Sequence, residues 1–290
     1  MAVSSIFADL HIHTTASDGT FTPRELLEEA KAQGLSVIAV TDHDTVGGID
    51  EARAFLPSGI ALVPGVEFSC LYEGERSFLL HLLGLGIDTR HKAILSLVDL
   101  AGQARLLKHS RRLGYLKERF GIEFTEEEHE YLNTRPNVGK LHIAKLLIDR
   151  GLCFTISEGI QKYMSANDFP DGTIPVADAI AAIKASGGIP VYAHPLGGEC
   201  DVHLSFAEAA HRVKLLKETG VCAIECYYSR YSKEEIDFLL SLADECNLLV
   251  SGGSDFHGKN KTVRLGDTSS EGTRVECESL TVLSKIQGGS

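Results

Sequence analysis

Four short stretches of this chain close strand-like runs with metal-binding side chains: Asp9-Leu10-His11-Ile12-His13, Thr41-Asp42-His43-Asp44, Ala193-His194-Pro195 and Ser254-Asp255-Phe256-His257. One His-x-His pair arises easily by chance. Four such clusters constrain the fold far more, because their side chains meet only if the strands lie side by side with these ends at one edge. In parallel α/β folds the carboxyl ends of the strands form that edge. A multinuclear metal site on an α/β scaffold is the reading that uses all four.

The remaining pattern alternates strand and helix. Residues 6–10 form a short apolar run, and Thr22-Pro23-Arg24-Glu25 then supplies an N-cap, a proline at the first helical position and a capping-box glutamate. The predicted helix runs to Gly34. Residues 36–40 are the continuous β-branched and apolar type buried in a parallel sheet, and residues 60–63, 79–85, 189–193, 221–224 and 248–250 read the same way. Gly187-Gly188 precedes a strand instead of following one, so it reads as a helix stop and not a phosphate loop. From about residue 90 to 167 the period is helical throughout, with charged residues 103–119, an acidic run at 126–130 and an apolar helix at 141–148 ended by Gly151. The expected organisation is a barrel built from residues 1–98 and 173–290, with residues 99–172 as a helical insertion that caps it.

Composition narrows the function. A chain of 290 residues with 43% hydrophobic content buries a large core. Its formal charge of −12 opposes salt-driven binding of duplex DNA, which needs a basic surface, while leaving room for a small anionic substrate in a locally positive pocket. The seven cysteines (Cys70, Cys153, Cys200, Cys222, Cys226, Cys246 and Cys277) are odd in number and lack C-x-x-C spacing, which fits reduced thiols better than disulfides or a thiolate zinc site. With no signal-like N-terminus and no apolar stretch near the ~18 residues of a membrane span, the expectation is a soluble, cytoplasmic chain with no membrane partner.

The ligand types indicate the chemistry. His11 and His13 share a face if strand geometry continues, and Asp18 follows in the adjoining loop. Imidazole with carboxylate suits Mn, Zn or Fe, and the absence of thiolate ligands argues against a closed structural zinc site. Glu67, in Pro64-Gly65-Val66-Glu67, has two oxygens with which to bridge ions. Between ions about 3.5–4 Å apart, a bridging hydroxide is an available nucleophile for phosphoester cleavage.

With Ser17-Asp18-Gly19, Gly65-Val66-Glu67 and Gly253 before the last cluster, these segments follow the order of motifs in the PHP (polymerase and histidinol phosphatase) metallo-phosphoesterases, which the chain resembles over almost its whole length. His81, in His81-Leu82-Leu83-Gly84, matches a further family histidine. The resemblance implies a distorted (β/α)7 barrel and three divalent ions per chain, Mn, Zn or Fe. It places His11, His13, Glu67 and Asp255 on the first ion, Glu67, His81 and His194 on the second, and Asp18, His43 and His257 on the third.

The chain also resembles the stand-alone members acting on nucleotide 3′,5′-bisphosphates, short RNA 5′ ends or cyclic ribose phosphates. Gly139-Lys140-Leu141-His142-Ile143-Ala144-Lys145 resembles their insertion motif, with Lys140 where arginine is common, so a point charge replaces a two-pronged phosphate contact. Leu196-Gly197-Gly198 stands where bisphosphonucleotide-hydrolysing members often have Gly-Arg-Tyr. The expected function is hydrolysis of small ribose or nucleotide phosphate esters, by a 3′,5′-bisphosphate nucleotide phosphatase or a cyclic ribose-phosphate phosphodiesterase cleaving twice. Glu67, His194, Asp255 and His257 are the expected catalytic residues, with Asp255 or His257 protonating the leaving oxygen. His142, Lys140, Arg105 and His109 are the expected substrate contacts.

Alternatives come from other classes. A metal-dependent nuclease, such as a 5′-3′ exoribonuclease on short RNA, is one; grip on longer single strands would call for a basic track with aromatic platforms, for which Tyr227, Tyr228 and Tyr231 near Arg230 are the candidates, although these tyrosines read better as pocket wall. A non-catalytic metal-binding domain is disfavoured because no ligand position is lost, and a histidinol phosphatase because the insertion motif is of the nucleotide type. Among other polar residues, His91, His129, His203 and His211 read as structural, and Asp42 and Asp44 as strand-end caps or orienting groups. Arg105, Lys108, His109 and Lys145 read as helix charges that are solvated by default, with one or two of them placed to meet phosphate, while Glu225 either orients a ligand or faces the barrel rim.

Overall fold

The structure, a computed structural model, describes residues 6–135, 137–164, 173–199 and 201–286. The far end of the expected insertion, residues 165–172, lies outside the described residues, as does Cys200. The strands are β1 (Phe7–Asp9), β2 (Leu35–Val40), β3 (Ala61–Tyr72), β4 (Phe78–Leu85), β5 (Ile174–Pro175), β6 (Ile189–Tyr192), β7 (Ala223–Tyr228) and β8 (Leu249–Gly253). They form one sheet in the order β1-β2-β3-β4-β6-β7-β8, with the two-residue β5 paired to β3 off this path. The pairs β1/β2, β2/β3, β6/β7 and β7/β8 are parallel.

β4 runs the other way, antiparallel to both β3 and β6. The cause is local: residues 73–77 between β3 and β4 are too few for the crossover of about a dozen residues that a parallel pair needs. β3 also extends well past the expected residues 60–63. Its second half pairs with the whole of β4, from Gly65 opposite Leu85 to Tyr72 opposite Phe78, a partnership that a reading stopped by Pro64-Gly65 does not anticipate.

The sheet nearly closes on itself. The Leu10 N–H donates to the Gly252 carbonyl at 3.1 Å, the Asp255 N–H donates to the His11 carbonyl at 2.8 Å, and Ile12 bridges Phe256. This approach needs glycine, because a Cβ at Gly253 would stand 2.5 Å from the His11 nitrogen and would also strike the His11 Cβ. Asp9 ties the same seam, accepting the Ser254 N–H at 2.9 Å, the Ser254 hydroxyl at 2.5 Å and the Gly266 N–H at 2.9 Å. The result is an α/β fold with a distorted (β/α)7 barrel and extra helices.

The helices are α1 (Pro23–Ala32), α2 (Ile49–Ala54), α3 (Lys92–Phe120), α4 (Glu126–Asn133), α5 (Lys140–Asp149), α6 (Ile156–Tyr163), α7 (Val176–Ala185), α8 (Phe206–Thr219), α9 (Lys233–Glu245) and α10 (Val282–Ile286). α1 starts with the expected capping box of Thr22 and Glu25, and Gly34 beyond its end takes φ +74°. Ala8, Leu10, Val37, Ala39, Leu83, Leu85, Val191 and Ala193 pack together from several strands, closed off by Val282 and Leu283 of α10. Each fully buried leucine there contributes about 1.5–3 kcal/mol of transfer free energy. The 29-residue α3 spans the expected boundary at residue 98. Its Ile94, Leu97 and Ala101 belong to the barrel-side core, whereas Leu116 packs with Leu132, Ile143, Leu147 and Tyr163 in a separate helical core.

Candidate metal centre

The strand ends deliver the expected side chains to one place. His11 and His13 follow β1, His43 follows β2, Glu67 lies within β3, His194 follows β6, and Asp255 and His257 follow β8. His81 joins them because β4 is reversed, so a residue near its start, opposite Ser69, lies at the edge where the other strands end. Three of the non-glycine residues with positive φ sit at this edge, Asp44 at 53°, His194 at 32° and Asp255 at 56°. Backbone strain of this kind persists where surrounding contacts hold it, and it clusters at functional sites.

Glu67 is the hub. Its Oε1 lies 3.2 Å from His11 Nε2, 3.1 Å from His81 Nδ1 and 3.4 Å from His194 Nε2. Its Oε2 lies 3.2 Å from His13 Nε2 and 3.0 Å from His43 Nδ1. Asp255 Oδ1 stands 3.6 Å from His11 Nε2 and 3.3 Å from His13 Nε2, while Asp18 Oδ1 is 3.3 Å from His257 Nε2 and Asp18 Oδ2 is 3.9 Å from His43 Nε2. All nine sequence-selected ligands are therefore assembled. Among the described residues, three sets place ligand atoms within 4.8 Å of one another: His13, Asp18, His43 and His257; His11, His13 and Asp255; and His43, Glu67 and His81.

This donor set fits divalent metal. His11 Nε2, both ring nitrogens of His13, His43 Nδ1 and Glu67 Oε2 are buried without a hydrogen-bond partner, an arrangement too costly to keep unless something else meets these atoms. Electrostatics agree. Burial disfavours charge on His11, yet Glu67, Glu225 and Asp255 outweigh it and hold the imidazole well above its ordinary range. Burial is likewise overcome at His13, where the Asp255 and Glu67 carboxylates beside its Nε2 push it up to about 9. At His43 burial wins and the value falls to about 4. Burial opposes ionisation of Asp18, Glu67 and Asp255, but neighbouring histidines, and Lys261 at Asp255, hold all three well below the usual carboxylate range.

Surrounding groups fix the cluster. Glu225 Oε1 lies 3.0 Å from His11 Nδ1, and its Oε2 accepts the His194 N–H at 2.8 Å, so it orients two candidate ligands at once. Asp42 accepts the Thr14 N–H at 2.7 Å and the Ser17 hydroxyl at 2.6 Å, bracing the loop before Asp18. Asp255 Oδ2 accepts from the Tyr228 hydroxyl at 2.9 Å and Lys261 Nζ at 2.5 Å. The sequence reading missed Lys261 and this role of Tyr228. The position of Lys261, four residues after His257, was the available signal.

A cavity of about 460 Å³ opens from the centre, lined by metal-site residues, by Arg105, Lys108, Arg112 and Lys140, and by the apolar wall of Phe78, Leu141 and Ile156. Arg105 Nε donates to Asp44 Oδ2 at 2.5 Å, which ties α3 to the loop carrying His43. Asn137 reinforces that tie by donating to the His43 carbonyl at 2.9 Å. Lys108, one of the helix charges that the sequence leaves between solvent and phosphate, is buried against the cavity. The i, i+3, i+7 spacing of Arg105, Lys108 and Arg112 marks one helix face and was legible as such. His109 and His142 are not among the lining residues: both are buried, and burial lowers His109 to about 4 and pulls His142 down as well. His142 Nδ1 accepts the Gly139 N–H at 3.1 Å. Tyr228 and Tyr231 are each 1% exposed, so they are wall and not stacking platforms.

Among the described residues, no helix is long and apolar enough to cross a membrane. Comparison with known proteins agrees with the geometry. Residues 9–146 match the PHP domain. The chain is 32% identical over 262 residues to a 5′-3′ exoribonuclease of Haemophilus influenzae, covering 89% of this chain and 92% of that one. It is 30% identical over 254 residues to a 3′,5′-nucleoside bisphosphate phosphatase of Chromobacterium violaceum, covering 86% of each. A solved structure of an amidohydrolase from Chromobacterium violaceum with bound sulfate superposes with a TM-score of 0.82 at 25% identity, over 97% of this chain and 96% of that one. Clustered histidines and carboxylates on a barrel of this topology, with relatives along nearly its full length, make the chain a member of the PHP family and a metal-dependent phosphoric ester hydrolase.

Proposed function

We propose that this enzyme is a 5′-3′ exoribonuclease acting on short 5′-phosphorylated RNA, with three divalent ions, Mn, Zn or Fe, at the centre. One observation carries the reading: the cavity joins the clustered ligands to a row of cations along α3 and to an apolar wall, an arrangement that suits a terminal nucleotide with its phosphate. Likeness to an exoribonuclease along most of both chains supports it over the small-ester reading first expected from sequence.

In the reaction, the bond between phosphorus and the 3′-oxygen of the terminal nucleotide breaks, the hydroxyl of a water joins phosphorus, and the remaining proton reaches that 3′-oxygen. Bound ions would polarise the phosphoryl oxygens and acidify the attacking water. Glu67, with its two oxygens directed at different histidines, would serve both ions of the first pair, and His194 would complete the second position. Asp255 is held ionised by Lys261 beside it, which suits a ligand better than a proton donor. His257 keeps Nδ1 at 2.8 Å from the Asp255 carbonyl and turns Nε2 toward Asp18, as a ligand of the third position. Lys140 and Lys108 would neutralise the terminal phosphate at the cavity wall.

A 3′,5′-bisphosphate nucleotide phosphatase is the second reading, favoured by a cavity sized for one nucleotide and by the burial of Tyr228 and Tyr231. The test is product analysis with Mn-loaded enzyme on 5′-phosphorylated RNA pentamer, its 5′-hydroxyl form, adenosine 3′,5′-bisphosphate and ribose 5-phosphate 1,2-cyclic phosphate. Stepwise release of 5′-nucleotides from the phosphorylated pentamer is expected. Phosphate release from the bisphosphate with no turnover of RNA would replace the nuclease with the phosphatase, and turnover of the cyclic ester alone would overturn both.

A further inference from the structure

A second cavity, of about 220 Å³, lies beside the metal centre, and it shares Glu199 and Lys261 with the first as wall. Lys261 stands at the junction, its Nζ 2.5 Å from Asp255 Oδ2. Asp255 lines the first cavity and Tyr228, which donates to Asp255, lines the second, so the two spaces flank the same carboxylate. The second cavity differs in chemistry from the first. Its lining is hydroxyl-rich, with Ser229, Thr262, Ser269 and Ser270, it carries the Asp267 and Glu199 carboxylates against Lys261 and Arg230, and the half-exposed Arg230 guanidinium stands 3.5 Å from Glu199 Oε1.

The walls are braced. The Ser270 N–H donates to the Tyr231 carbonyl at 2.9 Å, the Thr268 N–H donates to the Thr273 carbonyl at 2.8 Å, and the Ser269 and Thr273 hydroxyls meet at 2.6 Å. The volume is below the roughly 300–1,000 Å³ of a site that takes a whole small molecule. It fits a fragment, and hydroxyl partners with one guanidinium match a ribose and its phosphate.

We propose that this second cavity is the subsite for the ribose phosphate that follows the scissile bond, adjoining the terminal nucleotide's cavity across the shared wall of Lys261 and Glu199. The inference rests on the exoribonuclease reading and deepens it. An enzyme that removes a bare 3′-phosphate has nothing to place there, whereas one that cleaves a chain must hold the next residue of the chain. Adenosine 3′,5′-bisphosphate and the 5′-phosphorylated dinucleotide of adenosine present the same bond to the centre, and they differ only in whether a second nucleoside hangs from the attacked phosphate.

The experiment compares kcat/KM on these two substrates for the wild-type enzyme, Arg230→Ala and Ser270→Ala. Both side chains are exposed at the cavity rim, and the Ser270 contact to Tyr231 is made by its backbone, so the substitutions leave the scaffold in place. Arg230→Ala is expected to lower turnover of the dinucleotide on the order of tenfold, the worth of one charge-assisted contact. Ser270→Ala is expected to lower it less, and turnover of the bisphosphate should stay within twofold for both, which also reports intact folding. Equal losses on both substrates, or no loss on either, would overturn the subsite while leaving the nuclease standing. A wild-type enzyme that hydrolyses the bisphosphate and spares the dinucleotide would overturn the nuclease and the subsite together.

Discussion

Glu225 offers a sharp test of how the barrel prepares its ligands. It is fully buried on β7, with Oε1 3.0 Å from His11 Nδ1 and Oε2 accepting the His194 N–H at 2.8 Å. A carboxylate only accepts, so His11 donates from Nδ1 and keeps the Nε2 lone pair for the centre. Glu225→Gln preserves the volume but makes one of the two groups an NH2. The His194 N–H must meet the amide oxygen, which sets the NH2 against His11 Nδ1 and moves the neutral imidazole's proton to Nε2. The opposite amide orientation leaves two buried donors face to face. Either arrangement costs about 1–3 kcal/mol, or roughly 5–150-fold in affinity, in the range of the 10–100-fold usual for groups that orient metal ligands. The assay is titration of metal-stripped protein with Mn by calorimetry, with kcat measured alongside. Loss of the Glu225 charge also relieves proton competition at His11, so the deficit is read from a pH series and is expected to be clearest at its alkaline end. Affinity within twofold of wild type there would refute the tautomer argument.

Glu67→Ala removes the group that faces five imidazoles; turnover should fall by about 10³-fold or more with an unchanged far-UV spectrum, and a fully active, metal-replete variant would disprove the bridging role. His13, raised to about 9, carries a proton at neutrality that a metal ion must displace. Affinity should therefore rise as pH climbs toward 9 and binding should release protons, which calorimetry in buffers of different ionisation enthalpy detects; buffer-independent heats would contradict it. In the stripped protein the same shift has the opposite consequence, since the stability contributed by charged His13 is complete below about 6.5 and is lost as pH rises through about 9, as urea titrations at pH 6 and 10 would show. Gly253→Ala places a methyl group against the His11 backbone and should cost about 1–3 kcal/mol, seen as a fall of several degrees in Tm, whereas an unchanged Tm would deny the tight β1–β8 seam.

Most of the clustered histidines and carboxylates were legible because they lie in short motifs at or near a strand end, where residue type and spacing carry the information. His11, His13, Asp18, His43, His194, Asp255 and His257 needed only the expectation that parallel strands bring their carboxyl ends together. The capping box at Thr22 and Glu25 and the helix stop at Gly187 were legible for the same reason, since their physics is confined to a few neighbouring residues. The basic face of α3 was present as a spacing, but whether Lys108 met water or a cavity depended on what packs against that face.

Sequence by itself thus determined most of the element types, the set of side chains that cluster at the barrel mouth and the reaction class, all of which rest on local pattern and side-chain chemistry. Tertiary structure decided the reversal of β4 that brings in His81, the double service of Glu225 to His11 and His194, the hold of Lys261 and Tyr228 on Asp255, and the second cavity beside them. Each of these depends on strand register or on loops meeting across the barrel mouth. Glu225 and His11 are 214 positions apart in the chain, and only closure of the sheet brings them to hydrogen-bond distance.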